Sequence, residues 1–167
     1  MNIAKIETCS IANGKGFRVV LWCSGCSHRC KGCHNPETWD KGYGKEFKQE
    51  DKELLFKLLN DPHIQGITFS GGDPLFQTNI KEVGELLKEI KEKFPTKDIW
   101  LYTGYTWEEL IIDILRKPLL QYIDVLIDGK FILKERDITI AFRGSRNQRI
   151  IDVQQSLKNN KIILKMC

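Results

Sequence analysis

Cys26, Cys30 and Cys33 have the residue type and the spacing to do chemistry. They stand in the run Gly25-Cys26-Ser27-His28-Arg29-Cys30-Lys31-Gly32-Cys33-His34-Asn35-Pro36, a C-x3-C-x2-C pattern. Cysteine thiolates are the ligands of iron–sulfur clusters, and three so close can hold three corners of a cubane. A fourth would complete the shell of a pure electron carrier. Three leave one iron open to a substrate, and an open coordination position is how a metal site does chemistry. Cys23 introduces a competing reading. It forms one C-x2-C with Cys26, while Cys30 and Cys33 form another, as in a structural zinc site. Such sites separate their pairs by roughly 12–20 residues; here only Ser27, His28 and Arg29 intervene. Cys23 also ends an apolar run that reads as a strand, and binding the fourth iron there would block the open position.

Other segments hold residues suited to a ligand. Gly71-Gly72-Asp73-Pro74 is either a plain turn or a place where backbone without Cβ atoms approaches a ligand closely; Asp73 could also cap the next helix. Asp128-Gly129-Lys130 is a turn, or presents Lys130 to an anionic group. Arg143, Arg146 and Arg149 are solvated charges or a docking face for a protein partner. His28 and His34 flank the cysteines, where a ring can orient or hydrogen-bond a sulfur. His63 reads as a loop residue, and Cys9 and Cys167 as isolated thiols.

These residues need a scaffold. The 167 residues suit a single domain spanning 1–167. A net charge of +4 without a basic run gives no reason to expect a nucleic-acid partner. No stretch is apolar enough to span a membrane, and the N-terminus lacks a secretory pattern. A cytoplasmic, reducing location is expected, where cysteines serve as ligands or free thiols rather than in disulfides.

Strand and helix patterns alternate along the chain. Apolar strands are expected at 18–22, 66–69, 98–102 and 123–127. Helices are expected at 50–60, with Leu54, Leu55, Leu58 and Leu59 on one face, at 80–94 and at 107–116. The tail is less periodic; 138–142 and 161–165 could each be strands, and nothing from about residue 152 onward carries a motif. Repeated strand–helix units imply an α/β fold, a mostly parallel sheet with helices outside. The chain is too short for a closed eight-unit barrel, which takes about 250 residues, so a partial, open β/α barrel is expected. Each motif follows a strand, the edge where parallel α/β folds bind ligands.

The cysteine pattern after the first of these strands resembles the radical S-adenosylmethionine superfamily. Further blocks are similar to the glycyl-radical activases that serve anaerobic ribonucleotide reductases. They include Gly32-Cys33-His34-Asn35-Pro36-Glu37-Thr38-Trp39, Ser70-Gly71-Gly72-Asp73-Pro74-Leu75, Asp98 to Tyr105, Asp124 to Phe131 and Arg143-Gly144-Ser145-Arg146-Asn147-Gln148. The resemblance implies a partial β/α barrel of the radical type. It implies a [4Fe–4S] cluster on Cys26, Cys30 and Cys33, with S-adenosylmethionine on the open iron. Cofactor contacts are implied at Gly32, Cys33, His34, Gly71, Gly72, Asp73 and Lys130. The segment Gly71 to Pro74 would receive the methionine ammonium, and Lys130 its carboxylate or the partner. The implied partners are the catalytic subunit of the anaerobic ribonucleoside-triphosphate reductase and a flavodoxin or ferredoxin as electron donor. Another radical enzyme of the superfamily, acting on a different protein or on a small molecule, is the alternative.

Overall fold

The strands are β1 (Asn2–Ser10), β2 (Phe17–Cys23), β3 (Lys45–Glu46), β4 (Ile64–Gly71), β5 (Asp98–Tyr102), β6 (Val125–Asp128) and β7 (Arg149–Asp152). The helices are α1 (Gln49–Leu59), α2 (Ile80–Lys93), α3 (Trp107–Ile112) and α4 (Val153–Asn159). The structure, a computed structural model, describes residues 1–166, so Cys167 lies outside the described residues. All seven strands form one sheet in the order β3-β1-β2-β4-β5-β6-β7. The central four, β2, β4, β5 and β6, are parallel. Their near-continuous apolar runs are what a sheet buried on both faces requires.

The sheet is mixed and open. β1 pairs antiparallel with β2 and β3, and β7 pairs antiparallel with β6. Neither β1 nor β7 was expected from the sequence. Of the two tail strands expected, 138–142 is turn and coil, and 161–165 contributes only an isolated bridge from Leu164 to Ile151. Helix α3 stops at Ile112, short of the expected Arg116. The Asp113 carboxylate accepts the amides of Leu115 and Arg116 at 2.9 Å, a local turn that competes with the helix. In α1, Leu55 and Leu59 are buried, whereas Leu54 faces solvent.

Strand alternation divides the side chains between two faces. Val19, Leu21 and Cys23 of β2 join Ile67, Phe69, Ile99 and Leu101 in the core beneath Leu55, Leu59, Val83, Leu86, Leu87 and Ile90 of the helices. Each of these apolar side chains contributes about 1.5–3 kcal/mol on burial. The opposite face carries Arg18, Val20, Trp22, Thr68, Ser70, Trp100 and Tyr102. Arg18 is fully buried there. It donates to Asp98 Oδ1 at 2.6 Å, Thr68 Oγ1 at 2.8 Å and the Ile67 carbonyl at 2.7 Å, and lies over the Trp100 ring. Burial lowers its pKa, and Asp98 opposes that shift. A buried charge persists only when paired in this way. Thr68 in turn donates to the Asn13 carbonyl at 2.7 Å, so this network holds the 12–13 backbone beside the ligand edge of the sheet.

Candidate metal centre

Past β2 the chain leaves the sheet and returns as a loop tied at both ends. The Gly25 amide donates to the Thr38 carbonyl at 2.8 Å and the Cys26 amide to that of Trp39 at 3.1 Å. Within the loop Arg29 has φ 46° and Gly32 φ 77°. Two left-handed residues fold the chain back on itself, an unusual conformation for the arginine. Cys26, Cys30 and Cys33 are thereby brought to one cavity of ≈ 440 Å³, each half-buried and with a free thiol.

Each of these sulfurs has a backbone amide directed at it. Backbone amides of His28 and Arg29 approach Cys26, and that of Phe131 approaches Cys30, where each favours the thiolate. Asn35 donates to Cys33 at 3.4 Å. Amide donors to sulfur are among the features that set the potential of a protein-held cluster. Burial pushes the Cys26 thiol up to about 11 and raises Cys30 as well. These thiols keep their protons at neutral pH until a cation displaces them, as coordination does. Three accessible sulfurs in a lined cavity, each already met by an N–H, fit a cubane carried on three thiolates.

Cys23 stands apart. It lies one position beyond Trp22 on β2, so it faces the helix-side core while Trp22 lines the cavity. It is fully buried, and burial pushes its thiol up to about 12. Among the described residues no group of three or more His, Cys, Asp or Glu converges on a point where one metal ion could sit. The place of Cys23 in the core, away from the cavity that the other three sulfurs line, is what disfavours a four-cysteine zinc site. A cubane instead needs its thiolates spread over separate irons.

The expected cofactor residues divide. Cys33, His34, Gly71 and Gly72 line the cavity, His34 with its ring against Phe131. Gly32, Asp73 and Lys130 do not. Gly32 is exposed, and a Cβ there would meet Leu133 at 2.9 Å. Lys130 lines a neighbouring cavity with Glu108, Glu109, Asp128 and Arg149. Both Gly71 and Gly72 also answer to packing. A Cβ on Gly71 would meet the Cys23 carbonyl at 2.4 Å, and one on Gly72 the Gly25 and Thr38 carbonyls at 2.6 Å.

Asp73 is a clamp beneath the cavity. Its carboxylate, 1% exposed, accepts from Leu75 N at 2.8 Å, Gly104 N at 3.0 Å and Thr103 Oγ1 at 3.0 Å, and His28 Nε2 lies 2.8 Å away. It joins the cysteine loop to the loops after β4 and β5. A carboxylate so fully used has little capacity left for a ligand ammonium. Its partners lie about 30 and 45 residues away in the chain, and no spacing rule could have found them.

The three arginines do not share a face. Arg149 is paired with Asp128 and Glu108. Arg146 pairs with Asp137 at the surface. Among the described residues Arg143 is the only arginine or lysine on the wall of the main cavity, and its Nε is buried without an acceptor. Trp39 Nε1, on the same wall, is likewise buried and unpartnered. Two orphaned donors on one wall suit an acceptor-bearing ligand. Trp22, Ser70 and Tyr102 complete that wall; the sequence placed Trp22 only in a strand, and Ser70 and Tyr102 in blocks of the resemblance without a site role. Of the remaining sites read from sequence, His63 is exposed beside Asp61, and Cys9 is an exposed free thiol.

Residues 12–151 match the family model described as 4Fe-4S single cluster domain. Among curated proteins, the anaerobic ribonucleoside-triphosphate reductase-activating protein of Enterobacteria phage T4 is 43% identical over 150 residues, 90% of this chain and 93% of that protein. Its counterpart in Vibrio cholerae is 43% identical over 152 residues, 90% of this chain and 97% of that protein. The Escherichia coli K12 counterpart is 39% identical, covering 89% of this chain and 96% of its own. The match to the 4Fe-4S model spans all three cavity cysteines and the loops that close around them. The chain belongs to the 4Fe-4S single cluster domain family and, within it, to the anaerobic ribonucleoside-triphosphate reductase-activating proteins.

Proposed function

We propose that this chain is an activating enzyme for the anaerobic ribonucleoside-triphosphate reductase, using a [4Fe–4S] cluster and S-adenosylmethionine to install a glycyl radical on that protein. The observation that carries the proposal is the set of three half-buried free thiols, each met by a backbone amide, on the wall of one cavity. The open sheet is read as the partial β/α barrel of the radical type. When bound, the cluster would supply one electron to S-adenosylmethionine, whose carbon–sulfur bond then breaks to give methionine and the 5′-deoxyadenosyl radical that takes a glycine hydrogen.

The protein's part is to bind, orient and exclude water. Cys26, Cys30 and Cys33 hold three irons, and Cys23 stays in the core. Gly71 and Gly72 bring bare backbone to the cavity, supporting the methionyl end of the cofactor. Arg143 supplies the cation for its carboxylate, a role the sequence suggested for Lys130. Trp39 Nε1 offers a second donor. His34 and Phe131 form an aromatic edge beside Cys33 for the adenine. The Asp73 clamp keeps the loops in register through His28, Thr103 and Gly104. A flavodoxin or ferredoxin would supply the electron in a cytoplasmic setting.

The decisive assay is anaerobic. Reconstituted protein, S-adenosylmethionine, dithionite and the reductase are mixed and read by electron paramagnetic resonance. A glycyl radical appearing only when all four are present is the expected result. Its absence from protein holding four irons per chain overturns the proposal.

A further inference from the structure

The cysteine loop has two sides. One faces the cavity; the other faces solvent and carries Arg29, Lys31 and Gly32, all exposed and none on the cavity wall. The segment 130–136 packs beside it. A Cβ on Gly32 would touch Leu133, and the Phe131 amide points at the Cys30 sulfur. This neighbouring segment adds exposed Lys130, Lys134 and Arg136. Five cations thus lie on these two segments, Lys130 also bordering Glu108 and Glu109 in the neighbouring cavity. The acids here are Glu37 at the loop's return, Glu135 and, just past the second segment, Asp137, which Arg146 holds at 2.8 Å. None of the five cations is in an ion pair with a described residue, although the chain's other charges form many. Between them lie exposed apolar side chains, Ile132 at 39% and Leu133 at 44%.

We infer that this cationic face with its apolar centre is the electron entry face, where an acidic one-electron carrier protein docks. The inference rests on the cluster assignment proposed above and adds the donor's position and chemistry. A hydrogen-abstracting cofactor must meet the reductase at the cavity, but an electron needs only the shortest path to iron. That path runs through the Cys30–Gly32 turn, where the thiol loop itself is the surface. Charge complementarity at such a face steers encounter and is screened by salt. The transfer is balanced: the donor loses one electron, the cluster gains it, and no atom moves.

The test uses reconstituted protein carrying Lys31→Glu, Lys134→Glu and Arg136→Glu together. All three side chains are exposed and none lines the cavity, so iron content and Tm should match the parent. Binding of an acidic flavodoxin, followed by fluorescence anisotropy at low ionic strength, should weaken at least tenfold. Cleavage of S-adenosylmethionine driven by reduced flavodoxin should fall similarly, while cleavage driven by dithionite stays within twofold. Unchanged flavodoxin affinity overturns the inference. So does a parallel fall with both reductants, which would place these residues in the site or the fold. So does loss only of dithionite-driven glycyl-radical yield, which would give the face to the reductase. Failure of the parent protein to cleave S-adenosylmethionine with dithionite would instead sink the proposed function, while the binding titration still judges the docking face.

Discussion

A sulfur that binds iron must be reachable and must give up its proton. Cys26, Cys30 and Cys33 meet the first condition by lining the cavity, and a cation meets the second for them. Cys23 fails the first, because strand alternation turns it into the helix-side core. Alanine at any of the three cavity cysteines should therefore abolish the four-iron cluster in anaerobic reconstitution. Alanine at Cys23 should retain full iron and radical yield, with stability lower by roughly 1–2 kcal/mol for the small cavity left behind. Iron lost in a folded Cys23→Ala protein would reverse this assignment. The same contrast between wall and periphery separates Arg143 from Lys130. A charge-assisted hydrogen bond to a carboxylate is worth about 1.5–3 kcal/mol, so Arg143→Gln should weaken S-adenosylmethionine binding by roughly 10- to 100-fold. Lys130→Gln, in the neighbouring cavity, should change it by less than about threefold, since it makes no contact with the main cavity. Calorimetric titration of both reconstituted variants decides between them, and a larger loss at Lys130 would restore the carboxylate to that residue.

Among the elements, β6, β7 and α3 are tied by one side chain. Arg149 of β7 donates to the buried Asp128 of β6 at 3.0 Å through Nε, and to Glu108 of α3 at 3.0 and 2.8 Å. Asp128 also accepts the Trp107 amide at 2.7 Å, which starts the helix. Arg149→Gln strands a carboxylate that is 1% exposed. Breaking a fully buried pair costs about 3–5 kcal/mol; with Arg149 partly in solvent, a loss of about 2 kcal/mol is expected. The pH dependence has a definite sign. The Arg149 hydrogen bond lowers Glu108 from 4.5 to about 2, so its contribution is complete above pH 4.5 and is lost as pH falls toward 2. The gap in urea midpoint between parent and Arg149→Gln should accordingly be larger at pH 7 than at pH 2.5, and an equal gap would show that Glu108 takes no part. This element level is also where sequence reading reached its limit. The four parallel strands were legible because each carries a run of apolar residues, and the ligand edge followed from them. β1 was not, since Asn2, Lys5, Glu7 and Ser10 break its apolar pattern and the strand is irregular against β2. β7 is four residues long with charged ends, Arg149 in the tie just described and Asp152 paired with Lys165. In the site, the thiols were legible from local spacing. The roles of Asp73 and Arg143 depend on partners brought together only by the fold.

At the scale of the whole molecule, the four loops after β2, β4, β5 and β6 meet over the open edge of a sheet whose core lies on its far side. Ligands bound among those loops join segments that are distant in sequence, so binding should be visible as global stability. Any ligand that binds only the folded state stabilises it by RT ln(1 + [L]/Kd), about 2.7 kcal/mol at a hundredfold excess over Kd. For a chain of this length each kcal/mol moves Tm by about 2–4 °C, so S-adenosylmethionine at that excess should raise Tm by about 5–10 °C. If one open iron anchors the cofactor, the rise belongs to cluster-loaded protein alone. Thermal unfolding under anaerobic conditions, with and without the cofactor, should show the shift in loaded parent protein and in loaded Cys23→Ala. It should be absent from the iron-free parent and from Cys33→Ala. A full shift in iron-free protein would mean that Arg143, Trp39 and the glycine backbone hold the cofactor unaided, and the open-iron reading would fall. No shift in any sample, despite four irons per chain, would mean that the cavity takes a different ligand.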